Sequence, residues 1–317
     1  MIELKRWESG SEGGNGDRTR WGFGRRLGGR GLLILAAAAV VVDSRVALGA
    51  DGFTATAVPD SASGPEDDPP TTGAAARRSV VSGSLVICGG GRVPRAVREE
   101  FWKRAGGPRA RIVVVPTASE LADAPGTEDV LAPWVELGAE SVVLLHTRSR
   151  ERANDPAFAE PLLQASGVWF GGGDQSRITE VYLGTACERG FRGVLERNGV
   201  LGGTSAGAAI MSLVMITGGG ETATTDTGFG FLPGVVVDQH ALRRNRLNRL
   251  LGVIRNRPEL GGVAVDESTA LVVDQTGWRV VGESYVVVCR AGGAAHVRLD
   301  VYCDGDRGPL ERLWPEP

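Results

Sequence analysis

Val200-Leu201-Gly202-Gly203-Thr204-Ser205-Ala206-Gly207-Ala208-Ala209 is the stretch on which the reading of this chain turns. An apolar run ends in two glycines, and after the serine comes a run of small helix-compatible residues. The pattern predicts a strand, a tight turn and the start of a helix. By position, Gly203-Thr204-Ser205-Ala206-Gly207 satisfies G-x-S-x-G. A serine at such an elbow exposes its hydroxyl above a helix N-terminus, and small neighbours are needed because the turn brings backbones together. The N–H of Ala206 then points to where an oxyanion would form. The competing reading is a serine N-cap, a frequent way to begin a helix.

Outward from the elbow, short apolar runs at Leu85–Cys88, Ile112–Val115, Ser141–Leu145, Val168–Phe170 and Gly199–Leu201 read as strands. Helix-like stretches near Arg95–Ala105, Glu128–Leu137, Asp155–Ala165 and Thr185–Asn198 separate them. Continuous apolar strands alternating with helices predict an α/β fold: a mostly parallel sheet with helices on both faces. Ligands bind at the carboxyl ends of such strands, so Gly89-Gly90-Gly91, Pro116-Thr117-Ala118-Ser119 and Gly171-Gly172-Gly173 should rim the site. Nucleotide binding through Gly89-Gly90-Gly91 lacks the G-x-G-x-x-G spacing, because position 94 is proline. After Met211 the pattern changes. Val235–Val237 leads into Asp238-Gln239-His240, which is expected to open a helix to about Asn256. Added C-terminal strands, partly antiparallel, are expected at Val263–Val265, Ala270–Val273, Arg279–Val281, Tyr285–Cys289 and Val297–Val301.

The 317-residue chain divides by composition. Arg18, Arg20, Arg25, Arg26 and Arg30 precede an apolar run from Leu32 to Val42, and Ala47-Leu48-Gly49 offers an A-x-G cleavage site. Residues 1–50 therefore read as a signal peptide, and the run falls short of the roughly 20 apolar residues that a membrane span needs. Residues 51–82, rich in Ser, Ala, Pro, Thr and Asp, read as a disordered linker. Residues 83–317 are left as one α/β domain in an exported protein, periplasmic or extracellular, with no stable membrane association once the signal is cleaved. A formal charge of −3 argues against a nucleic-acid partner. The four cysteines include no C-x-x-C pair, which argues against a thiolate zinc site. Cys289 and Cys303 end neighbouring strand-like runs within reach of pairing, but four buried thiols is the preferred reading.

A serine nucleophile needs a base, and the chain holds three histidines. His240 follows a strand and His146 ends another, so the two compete; His296 is read as a surface or packing residue. A base in turn wants a carboxylate to fix its tautomer. Asp266-Glu267 follows the Val263–Val265 strand, and adjacent acids on extended chain point opposite ways, so only one can face the site. The residues alone leave that choice open. Arg243, Arg244, Arg246 and Arg249 follow His240 and suit an anionic or peptide substrate. At 100° per residue, His240, Arg243 and Arg244 fall on or beside the stripe of Leu247, Leu250, Leu251 and Ile254. Arg246 and Arg249 project away and reach the site only if the first turn is irregular or the cleft wraps around the helix.

Four ordered motifs now converge: Gly171-Gly172-Gly173-Asp174-Gln175, Gly203-Thr204-Ser205-Ala206-Gly207, Leu232-Pro233-Gly234-Val235-Val236-Val237-Asp238-Gln239-His240 and Val265-Asp266-Glu267-Ser268-Thr269-Ala270. Together they resemble the cyanophycinase family of serine peptidases, which has the aspartyl dipeptidases as more distant relatives. The resemblance runs from about Gly83 to at least Val288. It implies a class I glutamine-amidotransferase-like fold with Ser205 as nucleophile, His240 as base and Glu267 as the orienting acid. It implies an oxyanion hole from Ala206 and the Gly172-Gly173 loop, with Gly173 as donor. Gln175, Asp238, Gln239, Arg244, Arg246 and Arg249 match the family's substrate-binding positions. The implied activity is release of β-Asp-Arg dipeptides from cyanophycin, multi-L-arginyl-poly-L-aspartate, with no metal or organic cofactor, and a homodimer is compatible with it. One departure stands out. Ala241 occupies a position that is often aromatic in the family, which leads one to expect a wider pocket. The rival readings are a related peptidase for other aspartyl or isoaspartyl peptides and a catalytically silent binding protein on the same fold.

Overall fold

In the computed structural model, which describes residues 4–5, 82–292 and 296–315, alternation of apolar side chains organises the first sheet. Along β1 (Ser84–Cys88), Leu85 and Ile87 face one apolar cluster while Val86 and Cys88 face another. A strand buried on both faces has no polar alternation, so its sequence is a continuous apolar run. The signal-peptide and linker expectations fall outside the described residues, apart from Leu4–Lys5.

The other strands are β2 (Arg111–Val115), β3 (Ser141–Leu144), β4 (Gly167–Phe170), β5 (Val200–Thr204), β6 (Val214–Gly218), β7 (Thr224–Thr227), β8 (Val235–Gln239), β9 (Gly261–Val265), β10 (Thr269–Asp274), β11 (Gly277–Gly282), β12 (Val286–Ala291), β13 (Val297–Tyr302) and β14 (Arg307–Gly308). The first sheet has eight strands in the order β14-β11-β10-β1-β5-β4-β2-β3. Pairs β1–β5, β5–β4, β4–β2 and β2–β3 are parallel, whereas β10 and β11 run antiparallel to their neighbours. A second sheet holds β13-β12-β9-β8, with β8–β9 parallel and Leu4–Lys5 beside β13. The strands after Met211 thus do not simply lengthen one sheet. Pairs β6 and β7 form a separate hairpin.

The helices are α1 (Arg95–Arg104), α2 (Ala132–Glu136), α3 (Arg150–Asn154), α4 (Pro156–Ala159), α5 (Pro161–Gln164), α6 (Ser176–Tyr182), α7 (Ala186–Glu196), α8 (Ala206–Ala209) and α9 (Leu247–Asn256). The single helix expected over Asp155–Ala165 is two, because Pro161 lacks the N–H that would continue the first. One face of the first sheet packs under α1 and α2, where Phe101, Trp134 and Trp169 meet with ring centroids 4.9–5.2 Å apart. Truncating such an aromatic to alanine costs about 3–5 kcal/mol. The largest apolar cluster joins the other face to the second sheet, since Leu85, Ile87 and Leu201 pack with Val237, Val263 and Val265. Helix α9 covers the far side of the second sheet through Leu250, Leu251 and Ile254. The preferred reading of buried thiols holds for Cys88, Cys187 and Cys289, while Cys303 is only half-buried; the alternative Cys289–Cys303 pairing is not formed.

Candidate active site

Ser205 stands where the sequence pattern puts it, between β5 and α8. Its backbone is at φ 54°, ψ −109°, a region that costs a non-glycine residue about 1–3 kcal/mol. The two flanking glycines explain how the turn closes. A Cβ on Gly203 would lie 2.4 Å from the Gly207 carbonyl oxygen, and one on Gly207 would lie 2.4 Å from that of Phe170. Five non-glycine residues among those described have positive φ, and three of them are Ser205, His240 and Ser268. Such strain gathers where the surrounding structure over-determines a side chain's direction.

His240 directly follows β8 and Glu267 follows β9, so both come from the second sheet, whereas Ser205 comes from the first. The Ser205 hydroxyl and His240 Nε2 are 2.7 Å apart, and His240 Nδ1 lies 2.6 Å from Glu267 Oε1. With Nδ1 protonated toward Glu267, Nε2 is left to accept the serine proton. The two adjacent acids do point opposite ways. Asp266 Oδ1 accepts the N–H groups of Leu242 and Arg243, and its Oδ2 accepts the Ser284 hydroxyl, so it holds the loop after His240 instead of the imidazole. Burial lowers the His240 pKa from its ordinary value. The bond to Glu267 works against that shift, and the charges of Arg244 and Arg246 work with it. A base kept neutral at neutral pH is one that can take a proton.

His240 does not open a helix. It is followed by a turn through Asn245, itself at φ 50°, and α9 begins only at Leu247. Phase extrapolated from the α9 stripe therefore misplaces the arginines. Arg246, expected to project away, is half-buried and lines a cavity of about 380 Å³ with Ser205, Gly173, Gln175, Gln239 and Arg244. Arg249 also touches that cavity, but its guanidinium is engaged behind it. Nε and Nη2 donate to Asp238 at 2.7 and 2.5 Å, and Nη1 donates to the Gly219 carbonyl at 3.0 Å. Asp238 is wholly buried in that pair and does not reach the cavity. Gln175 is held by its amide, which donates to the Ile216 carbonyl at 2.7 Å. Gln239 Oε1 is buried without a protein partner. Ala241 packs in the apolar cluster beneath α9 and does not line the cavity.

Near the hydroxyl, Ala206 is the first residue of α8, and its N–H has no acceptor within the helix. Gly172 packs against the other side, where a Cβ would stand 3.5 Å from Ser205 Cβ. His146, the competing base, lies in a separate network with Thr117 and Asp123. Missed by sequence reasoning were the β6–β7 hairpin, which adds Thr217, Gly218 and Gly219 to the cavity wall, and the Asp238–Arg249 pair.

A serine hydroxyl aligned with an imidazole and a carboxylate on an α/β scaffold marks a serine-type hydrolase. Comparison with known proteins narrows the class to the serine-type peptidases. The profile of peptidase family S51 matches residues 85–281, and the chain belongs to that family. Cyanophycinase of Trichormus variabilis is 36% identical over 204 residues, 61% of this chain and 68% of that one. Cyanophycinase of Geminocystis herdmanii is 35% identical over 203 residues, 61% and 74% of the two chains. The crystal structure of a peptidase from an acI-B1 Actinobacterium shares the fold at a TM-score of 0.55, with 23% identity over 72% of this chain and 97% of that one.

Proposed function

We propose that this S51 peptidase hydrolyses cyanophycin and releases β-Asp-Arg dipeptides, with Ser205 as its nucleophile. The observation that carries the reading is the unbroken hydrogen-bonded line Ser205–His240–Glu267 beside a cavity walled by Arg244 and Arg246. His240 Nε2 takes the Ser205 proton as Oγ attacks the scissile carbonyl. The same proton passes to the leaving amine as the C–N bond breaks. Water then attacks the acyl-enzyme, giving its proton to His240, and Ser205 leaves with a proton restored to it. Glu267 holds the imidazole in the tautomer this needs, while the N–H groups of Ala206 and Gly173 face the oxyanion.

Substrate chemistry fits the cavity wall. In cyanophycin each arginine is joined through its α-amino group, which leaves a free carboxylate and a free guanidinium. Arg244 and Arg246 suit the first by charge-assisted bonds, and the unpartnered Oε1 of Gln239 suits the second. Asp238 and Arg249 serve the site from behind, by fixing β8 to α9 and to the β6–β7 hairpin. We read the scaffold as class I glutamine-amidotransferase-like and the protein as exported, the latter from the arginine-rich and apolar segments that precede residue 51. Purified protein incubated with cyanophycin beside α-Asp and isoaspartyl dipeptides tests the reading. Release of β-Asp-Arg from the polymer supports it; turnover of the dipeptides alone would assign the chain to other aspartyl peptides.

A further inference from the structure

Three catalytic segments drawn from two sheets need a common fixture, and one four-residue turn touches all of them. The carbonyl of Cys88 accepts the Ser205 N–H at 3.0 Å, that of Gly89 accepts the His240 N–H at 2.8 Å, and that of Gly90 accepts the Ser268 N–H at 2.9 Å. Ser268 adjoins Glu267 and also donates its hydroxyl to the Arg92 carbonyl. Side-chain room is equally specific. A Cβ on Gly90 would stand 2.2 Å from His240 Cε1 and 2.4 Å from Nε2, and one on Gly91 would stand 2.9 Å from Glu267 Oε2. Both glycines have positive φ, 113° and 67°. Gly89 differs, because a Cβ there would meet backbone, the carbonyl oxygens of Val265 and Asp266, at 2.3 Å.

We propose that Cys88-Gly89-Gly90-Gly91 is the positioning element of the active site: its consecutive carbonyls set the backbones of Ser205, His240 and the Glu267 segment in register, and its bare Cα atoms form the wall that keeps the imidazole in line with both partners. Gly90 and Gly91 are positioning residues that touch no substrate. The glycine run thus has a purpose unrelated to phosphate. It leaves to the imidazole the space that a side chain would take. The inference rests on His240 being the base.

The test compares the rate of labelling by a fluorophosphonate, and kcat and KM on cyanophycin, in wild type, Gly90→Ala, His240→Ala and the double variant. Displacing the ring by about 1 Å predicts a loss on the order of 10²-fold in kcat and in labelling rate for Gly90→Ala, with KM within about threefold. In the His240→Ala background the same change should cost nothing further, because the ring it displaces is gone. Equal losses in both backgrounds, or a full labelling rate in Gly90→Ala, would overturn the proposal. If His240→Ala itself labels at the wild-type rate, the base assignment fails instead, and the two failures stay distinct. Should Gly90→Ala not fold, Gly91→Ala decides the matter. The charged groups facing the imidazole are Glu267, Arg244 and Arg246. Pushing the Glu267 carboxylate away removes the one that raises the imidazole pKa, so the acid limb of kcat/KM should move to lower pH as kcat falls. An unmoved limb with unchanged kcat refutes the role.

Discussion

Two histidines in this molecule each stand between a hydroxyl and a carboxylate, and their surroundings separate them. His240 joins Ser205 to Glu267; His146 joins Thr117 to Asp123, with contacts of 2.9 Å at Nδ1 and 3.0 Å at Nε2. The order of groups is the same. Yet Thr117 is fully buried, and its hydroxyl also meets the Tyr182 hydroxyl at 2.8 Å. Burial pushes Tyr182 up to about 12, so it stays a neutral partner at ordinary pH. Asp123, on the exposed side, is shared with Arg148, which also donates to the carbonyls of Thr117 and Ser119. That network ties down the loop after β2. The Ser205 network instead opens on a cavity and sits on strained backbone. Under the proposed mechanism, hydroxyl, imidazole and carboxylate in line are not sufficient for catalysis; access and a donor set for the oxyanion separate the Ser205 network from the His146 one.

Breaking the two networks should therefore give opposite signatures. Ser205→Ala or His240→Ala should lower kcat on cyanophycin by about 10⁴- to 10⁶-fold while thermal melting shows the fold intact. Glu267→Gln comes next, at about 10²- to 10⁴-fold. The pH profile sharpens that prediction. Burial holds the His240 pKa below about 6.5, so wild-type kcat/KM should persist to a pH below that value before its acid limb falls. Because the Glu267 contact raises the pKa, removing it should move the limb to lower pH still, with a lower plateau. Arg246→Ala should reduce kcat/KM by about 10- to 100-fold through a weaker hold on the substrate carboxylate, measured with cyanophycin at low salt. Smallest in activity is His146→Ala. Its kcat/KM should stay within about threefold of wild type, while the lost buried hydrogen bond, worth about 1–3 kcal/mol, lowers the melting temperature by several degrees.

The elbow was legible because its causes are local. Strand, glycines, serine and small-residue helix lie within ten consecutive positions, and the close approach of Gly203 to Gly207 is a matter of one turn. His240 and Glu267 were legible as strand-end residues for the same reason. Which sheet those strands join was not. Val235–Gln239 and Gly261–Val265 look like any buried parallel strands, and only long-range pairing assigns them to the second sheet. The arginines failed differently. Helical phase extrapolates from α9 back to His240, but Asn245 at φ 50° and the Asp266 carboxylate hold the intervening residues in a turn. The Asp238–Arg249 pair was hidden because its partners lie eleven positions apart on elements that only packing brings together. Ala241 reads as pocket wall in sequence and is core in space, where it packs with Leu250 and Ile254.

Intact-mass spectrometry after fluorophosphonate treatment, followed by peptide mapping, tests the assignment of the nucleophile most directly. One adduct per chain is expected, on Ser205, absent in Ser205→Ala and retained in Thr117→Ala and His146→Ala. An adduct elsewhere, or labelling that survives in Ser205→Ala, would contradict it.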